Sequence, residues 1–272
     1  MADQALQMIS VRDLSPLYEA FSEEDDDQGN PIFLYSSFGF ITKEHNAYFG
    51  KSKLRKFDLT LKDIRESLEL LPDEDVYPKA PSNITNFAIP TSSNVFVKGP
   101  KLHLDFQGTG LLPKLILQEV EIMELLMYKP HPNIIRYHGC LIKRGRIVGI
   151  VLDRYSMTLK ERLENGIRDF NVDKFMNRLT SAVHHLHSLE LAHNDLCPMN
   201  IMIDEADDDT PAIIDFGSCQ PFGRKLITAG TPGWIDEDFV NSARDHDNIA
   251  LGKIQTWLEA QGRGRNIRRT RY

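Results

Sequence analysis

Two short motifs constrain this 272-residue chain more than any other feature. The first, HNDLCPMN at 193–200, places Asp195 two residues after a histidine and five before Asn200. The second, IIDFG at 213–217, places Asp215 after an apolar run and directly before a Phe-Gly pair that favours a turn. Carboxylate and amide oxygens are hard ligands of the kind that Mg²⁺ prefers. The two motifs therefore predict one carboxylate base, Asp195, and two metal ligands, Asn200 and Asp215.

The composition, 41% apolar and 26% charged, is typical of a soluble globular protein. No apolar run approaches the roughly 18 residues of a membrane span, so we expect no membrane partner. Three cysteines and the absence of a signal-peptide pattern predict reduced thiols in an intracellular protein, cytoplasmic or nuclear. The net charge of −7 argues against dedicated nucleic-acid binding.

The pattern of apolar residues changes near residue 58. Residues 1–57 carry an acidic run at 23–27 and no sustained periodicity, which predicts an irregular or partly disordered N-terminal extension. Thr60 and Asp63 then resemble a capping box, and apolar residues at helical spacing predict a short helix that reaches Leu71. The arginine-rich residues 261–272 predict a basic tail, and we interpret it as a solvated, disordered end.

Further elements are predicted between these ends. The β-branched and aromatic run Val95–Lys98 predicts a strand, and a helix begins at Pro113 and is ended by Pro130. Residues 131–135 and 146–152 predict two strands around a Lys-Arg-Gly turn. The series from Asp173 to Leu189 predicts a helix that runs directly into HNDL.

The order of these parts resembles the protein kinase superfamily from about Val95 to Trp257. The parts follow one another as in that family: a strand lysine, a helix glutamate, HPNI at 131–134, HNDLCPMN, IIDFG and GTPGW at 230–234. The sequence of the helix, LPKLILQEVEIMELL at 112–126, is more weakly similar to unassigned fungal kinase-like proteins. The resemblance implies an α+β bilobal fold with a small β-rich N-lobe and a mainly helical, apparently shortened C-lobe. It places the N-lobe and its preceding helix at 58–152 and the C-lobe at 153–260.

The resemblance also implies roles in binding ATP. Lys98 would grip the α- and β-phosphates, with Glu121 as its ion-pair partner and Glu119 as the rival for that position. Asp153 falls in the segment that presents backbone groups to adenine, and Met202 would form an apolar floor beneath the ring. ATP and Mg²⁺ are the implied cofactors.

The catalytic and structural roles follow from the same resemblance. Asp195 would accept the proton of a substrate hydroxyl, while Asn200 and Asp215 hold Mg²⁺. His193 would orient the catalytic loop without acting as a base. Asp247 resembles the buried aspartate that anchors that loop.

Four departures separate the chain from the family pattern. No glycine-rich loop precedes Lys98, so Thr91, Ser92 and Ser93 would have to contact phosphate instead. Phe96 stands where the family has alanine beside adenine, and its ring would fill the pocket. Asn194 replaces the arginine of His-Arg-Asp, which argues against switching by segment phosphorylation, and Cys197 replaces a lysine that stabilises the transferring phosphoryl group.

Three functions remain open at this point. The first is an ATP- and Mg²⁺-dependent kinase acting on serine or threonine of a protein substrate, which Thr231 and Trp234 in GTPGW favour. The second is a pseudokinase that binds partners, which Phe96 and the absent glycines favour. The third is a small-molecule hydroxyl kinase of the choline or aminoglycoside type. The sequence identifies neither the substrate nor the oligomeric state.

Overall fold

The computed structural model describes residues 10–88, 94–103, 108–166, 171–204, 207, 209–228, 230–236 and 239–269, with side chains described as far as Gln261. The chain divides into two compact units. The first comprises residues 1–83, 98–117 and 141–149, and the second comprises 84–97, 118–140 and 150–272.

The elements of the described chain are numbered in sequence order. The strands are β1 (Leu17–Asp25), β2 (Pro31–Ile41), β3 (Ala47–Ser52), β4 (Glu69–Leu70), β5 (Val95–Lys98), β6 (Tyr137–Lys143), β7 (Arg146–Asp153), β8 (Met157–Thr158), β9 (Leu191–Ala192), β10 (Ile201–Asp204), β11 (Thr210–Ile213) and β12 (Gln220–Pro221). The helices are α1 (Leu61–Ser67), α2 (Asp73–Val76), α3 (Leu111–Tyr128), α4 (Leu159–Glu164), α5 (Val172–Ser188) and α6 (Arg244–Arg269).

The first unit contains an antiparallel sheet of order β1-β2-β3-β4. Phe38 and Phe40 of β2 are buried in one cluster with Leu14, Leu59 and Ile64. The irregular extension predicted for residues 1–57 is therefore wrong over 17–52, which form three strands. The strand pattern was hidden because the buried stretch of β2 also contains serine and glycine, and because α1, which contributes Ile64, comes later in the sequence.

The helix predicted after Thr60 is confirmed, although it is shorter than the apolar spacing indicated. The Thr60 hydroxyl accepts a hydrogen bond from the Asp63 N–H, and the Asp63 carboxylate accepts one from the Thr60 N–H. This reciprocal cap satisfies two of the amide groups that a helix start leaves without partners. The helix ends at Ser67, and β4 takes up the residues that the prediction had placed in its last turn.

Gly50 of β3 packs closely against the last residue of α1 and against Phe38 of β2. A Cβ at Gly50 would lie 2.6 Å from the Ser67 carbonyl oxygen and 2.7 Å from the Phe38 ring. We expect Gly50→Ala to destabilise the protein by about 1–3 kcal/mol, because the backbone or the ring must shift. Gly252→Ala is the matched control, since no atom lies within 4 Å of its Cβ and α6 gains a better helix former. Thermal unfolding checks both, and equal midpoints for Gly50→Ala and the native chain would contradict the expectation.

The prediction of strands and helices in the middle of the chain is mostly confirmed. The sheet order β5-β7-β6 includes the predicted strand at 95–98 and the strand at 146–152. Residues 131–135 are wrong as a strand and form a turn in which the Ile134 N–H donates to the His131 carbonyl at 3.1 Å. Pro132 has no N–H to donate to a ladder, which explains the difference. The strand begins instead at Tyr137.

The second unit is built on α5 and the β10–β11 hairpin. One face of α5 is buried along its whole length, from Phe175 to His187. The hairpin forms a three-stranded sheet of order β11-β10-β8, and β9 pairs with β12. These elements hold both motifs: HNDL follows β9, and IIDFG begins at the end of β11.

The C-terminal helix, α6, extends into residues whose composition predicted a disordered tail. The backbone is helical through Arg269, so the disordered end predicted for 261–272 is wrong as far as that residue, and the last three residues lie outside the described chain. All three cysteines are free thiols, and all three are buried. Among the described helices, none is both long and apolar enough to cross a bilayer.

Candidate active site

The β10–β11 hairpin brings two of the predicted site residues to one place. Ile201 and Ile213 are paired across the hairpin, so Asn200 precedes it and Asp215 follows it at the same end. The Ile214 N–H donates to the Asn200 carbonyl at 3.0 Å, which fixes the two chain segments against each other. The structure therefore brings together the two chain segments that carry the predicted oxygen ligands.

Asp195 lies at this end of the hairpin and is held at both carboxylate oxygens. Its Oδ2 accepts from Asn200 Nδ2 at 3.0 Å, and its Oδ1 accepts from the Thr231 N–H at 2.6 Å. Asn200 Nδ2 also donates to the Asp195 carbonyl at 2.8 Å. Because the amide nitrogen faces Asp195, the Asn200 Oδ1 is the atom left for a cation. The carboxylate remains half-buried and each oxygen keeps lone-pair capacity for a substrate hydroxyl.

His193 orients the loop, as the sequence predicted. Its Nε2 lies 2.9 Å from the Ile214 carbonyl, which can only accept, so Nε2 carries the hydrogen. The Asp195 N–H donates to the other nitrogen at 3.4 Å. The ring also makes an edge contact with Phe216, with centroids 5.2 Å apart. With both nitrogens engaged, this histidine links HNDL to IIDFG and has no free nitrogen to act as a base.

Asp247 anchors the same loop from α6, which confirms the prediction for it. The side chain is fully buried. Its Oδ2 accepts from the His193 N–H and from His187 Nε2, each at 2.9 Å, and its Oδ1 accepts from the Asn194 N–H at 3.0 Å. The carboxylate therefore determines the backbone direction of the two residues that precede Asp195.

Asp215 adopts a left-handed backbone, with φ 62° and ψ 74°. For a residue with a Cβ this conformation costs roughly 1–2 kcal/mol, and such strain concentrates at functional sites. The next residue, Phe216, is buried and its N–H donates to Glu119 Oε1 at 3.2 Å. Asp215 Oδ1 and Glu119 Oε2 lie 3.4 and 3.7 Å from the position of a Cβ on Gly217. Two carboxylates thus converge beside the Phe-Gly turn.

The helix carboxylate that reaches IIDFG is Glu119, whereas Glu121 is exposed. The structure therefore favours Glu119, the rival for the position that the sequence analysis gave to Glu121. The phase of α3 is the signal that could have decided between them. Glu119 lies four residues before the buried Met123 and seven before the buried Leu126, and so belongs to the buried stripe of the helix.

The remaining nucleotide-binding predictions fall on separate elements. Lys98 is the last residue of β5; it belongs to the first unit and is half-buried. Met202 lies on β10 in the second unit, half-buried and paired with Ala212 and Thr158 of the neighbouring strands. Their contacts with a nucleotide stay predictions.

Asp153 ends β7, and its carboxylate is engaged elsewhere. It accepts from His138 Nε2 at 2.6 Å, and its N–H donates to the Arg136 carbonyl at 3.0 Å. With His138 and Tyr155 it lines a pocket of about 830 Å³ whose apolar wall comes from the end of α3 and the turn after it. None of Asp195, Asn200, Met202 or Asp215 lines that pocket. The predicted adenine contact of Asp153 is thus restricted to its backbone carbonyl.

The structure shows the surroundings of Phe96 and Cys197, two of the residues that depart from the family pattern. The Phe96 side chain is 45% exposed, and its ring lies 6.0 Å from the Arg154 guanidinium. Cys197 is fully buried with its Sγ 3.6 Å from Thr231 Oγ1, and burial raises the pKa of the thiol. It therefore supplies no charge in place of the family's lysine. Thr91, Ser92 and Ser93, the proposed substitutes for the glycine loop, lie outside the described residues.

In the sequence, Asn194 is notable only because it replaces an arginine, and its partners are visible only in the structure. The side chain is 2% exposed and contacts the Ala192 and Ser218 carbonyls, the Ser242 hydroxyl and His246. Ser242 and His246 come 48 and 52 residues later, before and in α6 respectively, so no local pattern could have linked them to Asn194.

The fold and the loop geometry are those expected of a protein kinase domain, and comparison with known proteins agrees. A model of the protein kinase domain matches residues 91–250, well over half of the chain. The chain therefore belongs to the protein kinase family. This confirms the α+β, protein-kinase-like fold. The four-stranded sheet of residues 17–70 precedes the matched region.

Individual relatives are similar over about half of the chain. The serine/threonine-protein kinase/endoribonuclease IRE1 of Hypocrea jecorina (strain QM6a) is 30% identical over 137 residues, 42% of this chain and 11% of that protein. IRE2 of Homo sapiens, with the same descriptive name, is 31% identical over 149 residues, 48% of this chain and 16% of its own length. The CBL-interacting protein kinase 5 of Oryza sativa subsp. japonica is 29% identical over 149 residues, 52% and 30% respectively. The matches thus span less than a third of each relative.

Proposed function

We propose that the protein transfers the γ-phosphoryl group of ATP to serine or threonine hydroxyls of proteins. The observation that carries the proposal is the geometry of Asp195, whose two oxygens are held by Asn200 Nδ2 and the Thr231 N–H. A carboxylate fixed in this way can orient a hydroxyl and accept its proton. The descriptive names of the IRE1 and IRE2 relatives support the choice of serine and threonine.

The residues of this end of the hairpin fit Mg²⁺. Among the described residues no cluster of three or more His, Cys, Asp or Glu side chains suits a metal, but Mg²⁺ usually takes only one or two carboxylates and completes its shell with phosphate oxygens and water. Asp215 and the free Oδ1 of Asn200 are such a partial set. When bound, the ion would neutralise charge on the β- and γ-phosphates.

The other binding roles follow the same proposal. Lys98 contacts phosphate oxygens through its ammonium group, which suits a point-charge contact. Glu119, the carboxylate that reaches the Phe216 N–H, takes the helix position that the sequence had given to Glu121. Asp153 contributes its backbone carbonyl to adenine, and Met202 contributes an apolar surface.

A pseudokinase is the second candidate. The stretch before Lys98 contains no glycine, so phosphate would have to approach backbone N–H groups shielded by side chains. An exposed Phe96 ring where the family has alanine also favours this reading. It predicts a folded chain that binds partners without turnover.

One experiment separates the candidates. The native chain is incubated with γ-labelled ATP and Mg²⁺, with a basic protein and with small hydroxyl compounds such as choline, and labelled protein is hydrolysed to identify phosphoamino acids. We expect phosphoserine or phosphothreonine. Label on a small molecule would point to the third function considered from the sequence. Thermal stabilisation by ATP and Mg²⁺ without any transfer would favour the pseudokinase.

Glu119 and Glu121 provide a matched pair of substitutions on one helix. We expect Glu119→Gln to lower the rate of phosphoryl transfer about tenfold, because it weakens the charge-assisted hydrogen bond with the Phe216 N–H and removes one of the two carboxylates beside Gly217. Glu121→Gln, on the exposed face, should leave the rate unchanged. Initial rates at saturating ATP check this, and a larger loss in Glu121→Gln would restore the assignment made from sequence.

A further inference from the structure

We propose that Asn194 is a positioning residue that, with His246 of α6, holds both ends of the segment between Ser218 and Thr231 against Asp195. The inference rests on the proposed function, because its consequence is the placement of the base. Asn194 immediately precedes Asp195, and its side chain joins three parts of the second unit: the catalytic loop, the residues after IIDFG and the start of α6.

The direction of each hydrogen bond in this network is fixed by two carbonyl groups. Asn194 Nδ2 lies 2.9 Å from the Ala192 carbonyl and 3.0 Å from the Ser218 carbonyl, and both can only accept. The Oδ1 therefore faces His246 Nδ1, 2.9 Å away, and that nitrogen must carry a hydrogen. Burial lowers the pKa of His246, so the ring is neutral and its Nδ1–H tautomer donates.

Asparagine meets two requirements at this position. Its backbone is left-handed, with φ 62°, a conformation that asparagine adopts more readily than most residues. Its carboxamide also offers donors to the carbonyls and an acceptor to the imidazole at the same time. An aspartate would have the same shape but would turn a carboxylate oxygen towards two carbonyl oxygens. The site thus requires an amide and not merely a small polar side chain.

Both ends of the segment contact the Asn194–Asp195 pair. At the first end, the Ser218 carbonyl accepts a hydrogen bond from Asn194 Nδ2. The Ser218 hydroxyl is also hydrogen-bonded to the Thr228 hydroxyl at 2.9 Å. At the second end, a Cβ on Gly230 would lie 3.0 Å from the Asn194 carbonyl oxygen, so the glycine allows close packing. Thr231 follows and donates its N–H to Asp195 Oδ1. Loss of the network would therefore release the hydrogen bond that holds the base.

His246 fixes the orientation of the amide from the far side. Its ring is stacked on Phe239, with centroids 3.7 Å apart and planes 14° from parallel. The side chain is 4% exposed. A ring held by packing presents Nδ1 in one direction, which selects one of the two orientations of the Asn194 amide.

The test compares Asn194→Asp with Asn171→Asp in the whole chain. Asn171 caps α5 through a hydrogen bond from the Lys174 N–H, and asparagine and aspartate are equivalent N-caps, so this control makes the same chemical change outside the network. We expect Asn194→Asp to lower kcat about 10- to 100-fold with little change in KM for ATP. Amide hydrogen exchange within 218–231 should accelerate about tenfold or more, while the control matches the native chain.

Two further results make the outcome decisive. Unchanged exchange in 218–231, or a loss of ATP affinity equal to the loss of kcat, would overturn the positioning role. If Asn194→Asp does not fold, His246→Phe keeps the stacking but removes the Nδ1 donor, and must show the same accelerated exchange to a smaller degree. Should the native chain transfer no phosphate, the proposed function fails, and the exchange measurements alone decide the role of Asn194.

Discussion

Asp195→Asn is expected to reduce phosphoryl transfer by roughly 10²- to 10⁴-fold, the range that a positioned general base contributes in other enzymes. The substituted amide keeps the shape of the carboxylate and can still accept from the Thr231 N–H through Oδ1. It cannot take the proton of a hydroxyl at neutral pH. The loss should therefore appear in kcat, with ATP binding retained.

Asp173→Asn is the matched control for this substitution. Asp173 is an exposed residue in the first turn of α5, and its charge contributes at most about 1 kcal/mol through the helix dipole. Initial rates and ATP-dependent thermal shifts of the two variants and the native chain give the comparison. An Asp195→Asn protein that transfers phosphate at a rate near that of the control would show that another group acts as base, or that none is needed.

Asp247→Ala is expected to cause the largest loss of stability. Three donors lose a fully buried acceptor: His187 Nε2 and the N–H groups of His193 and Asn194. His187 is itself 3% exposed, and its Nδ1 has no hydrogen-bond partner within the described chain. Without Asp247, both nitrogens of this buried ring would lack a partner. Removing one partner of such a buried network costs about 3–5 kcal/mol.

The thermal midpoint should fall by about 10 °C for a chain of this size. Asp245→Ala is the control, because Asp245 is also in the first turn of α6 but exposed. Thermal unfolding followed by circular dichroism is the measurement. Midpoints for Asp247→Ala and Asp245→Ala that agree within experimental error would contradict the anchoring role.

Local chemistry made part of this structure predictable. The capping box at Thr60 and Asp63 and the apolar stripe of α5 depend on residues a few positions apart, and both predictions are confirmed. HNDLCPMN and IIDFG predicted that Asn200 and Asp215 belong to one site, and a short hairpin joins the two chain segments that carry them.

The remainder depended on contacts between distant residues. The sheet of residues 17–70 obtains its core only when α1 covers β2, so the sequence of 17–52 alone showed no pattern. The choice between Glu119 and Glu121 required the phase of α3, and the partners of Asn194 lie in and before α6. In each case the sequence offered a residue but not its neighbour.

The most direct test of the account measures transfer from γ-labelled ATP, with Mg²⁺, by the native chain, Asp195→Asn and Asp215→Asn side by side on one protein substrate. We predict label on serine or threonine with the native chain and its loss in both variants, while all three proteins remain folded. Transfer that survives both substitutions would contradict the assignment of the site. Absence of transfer by the folded native chain, across several metals and substrates, would contradict the assignment of a kinase activity.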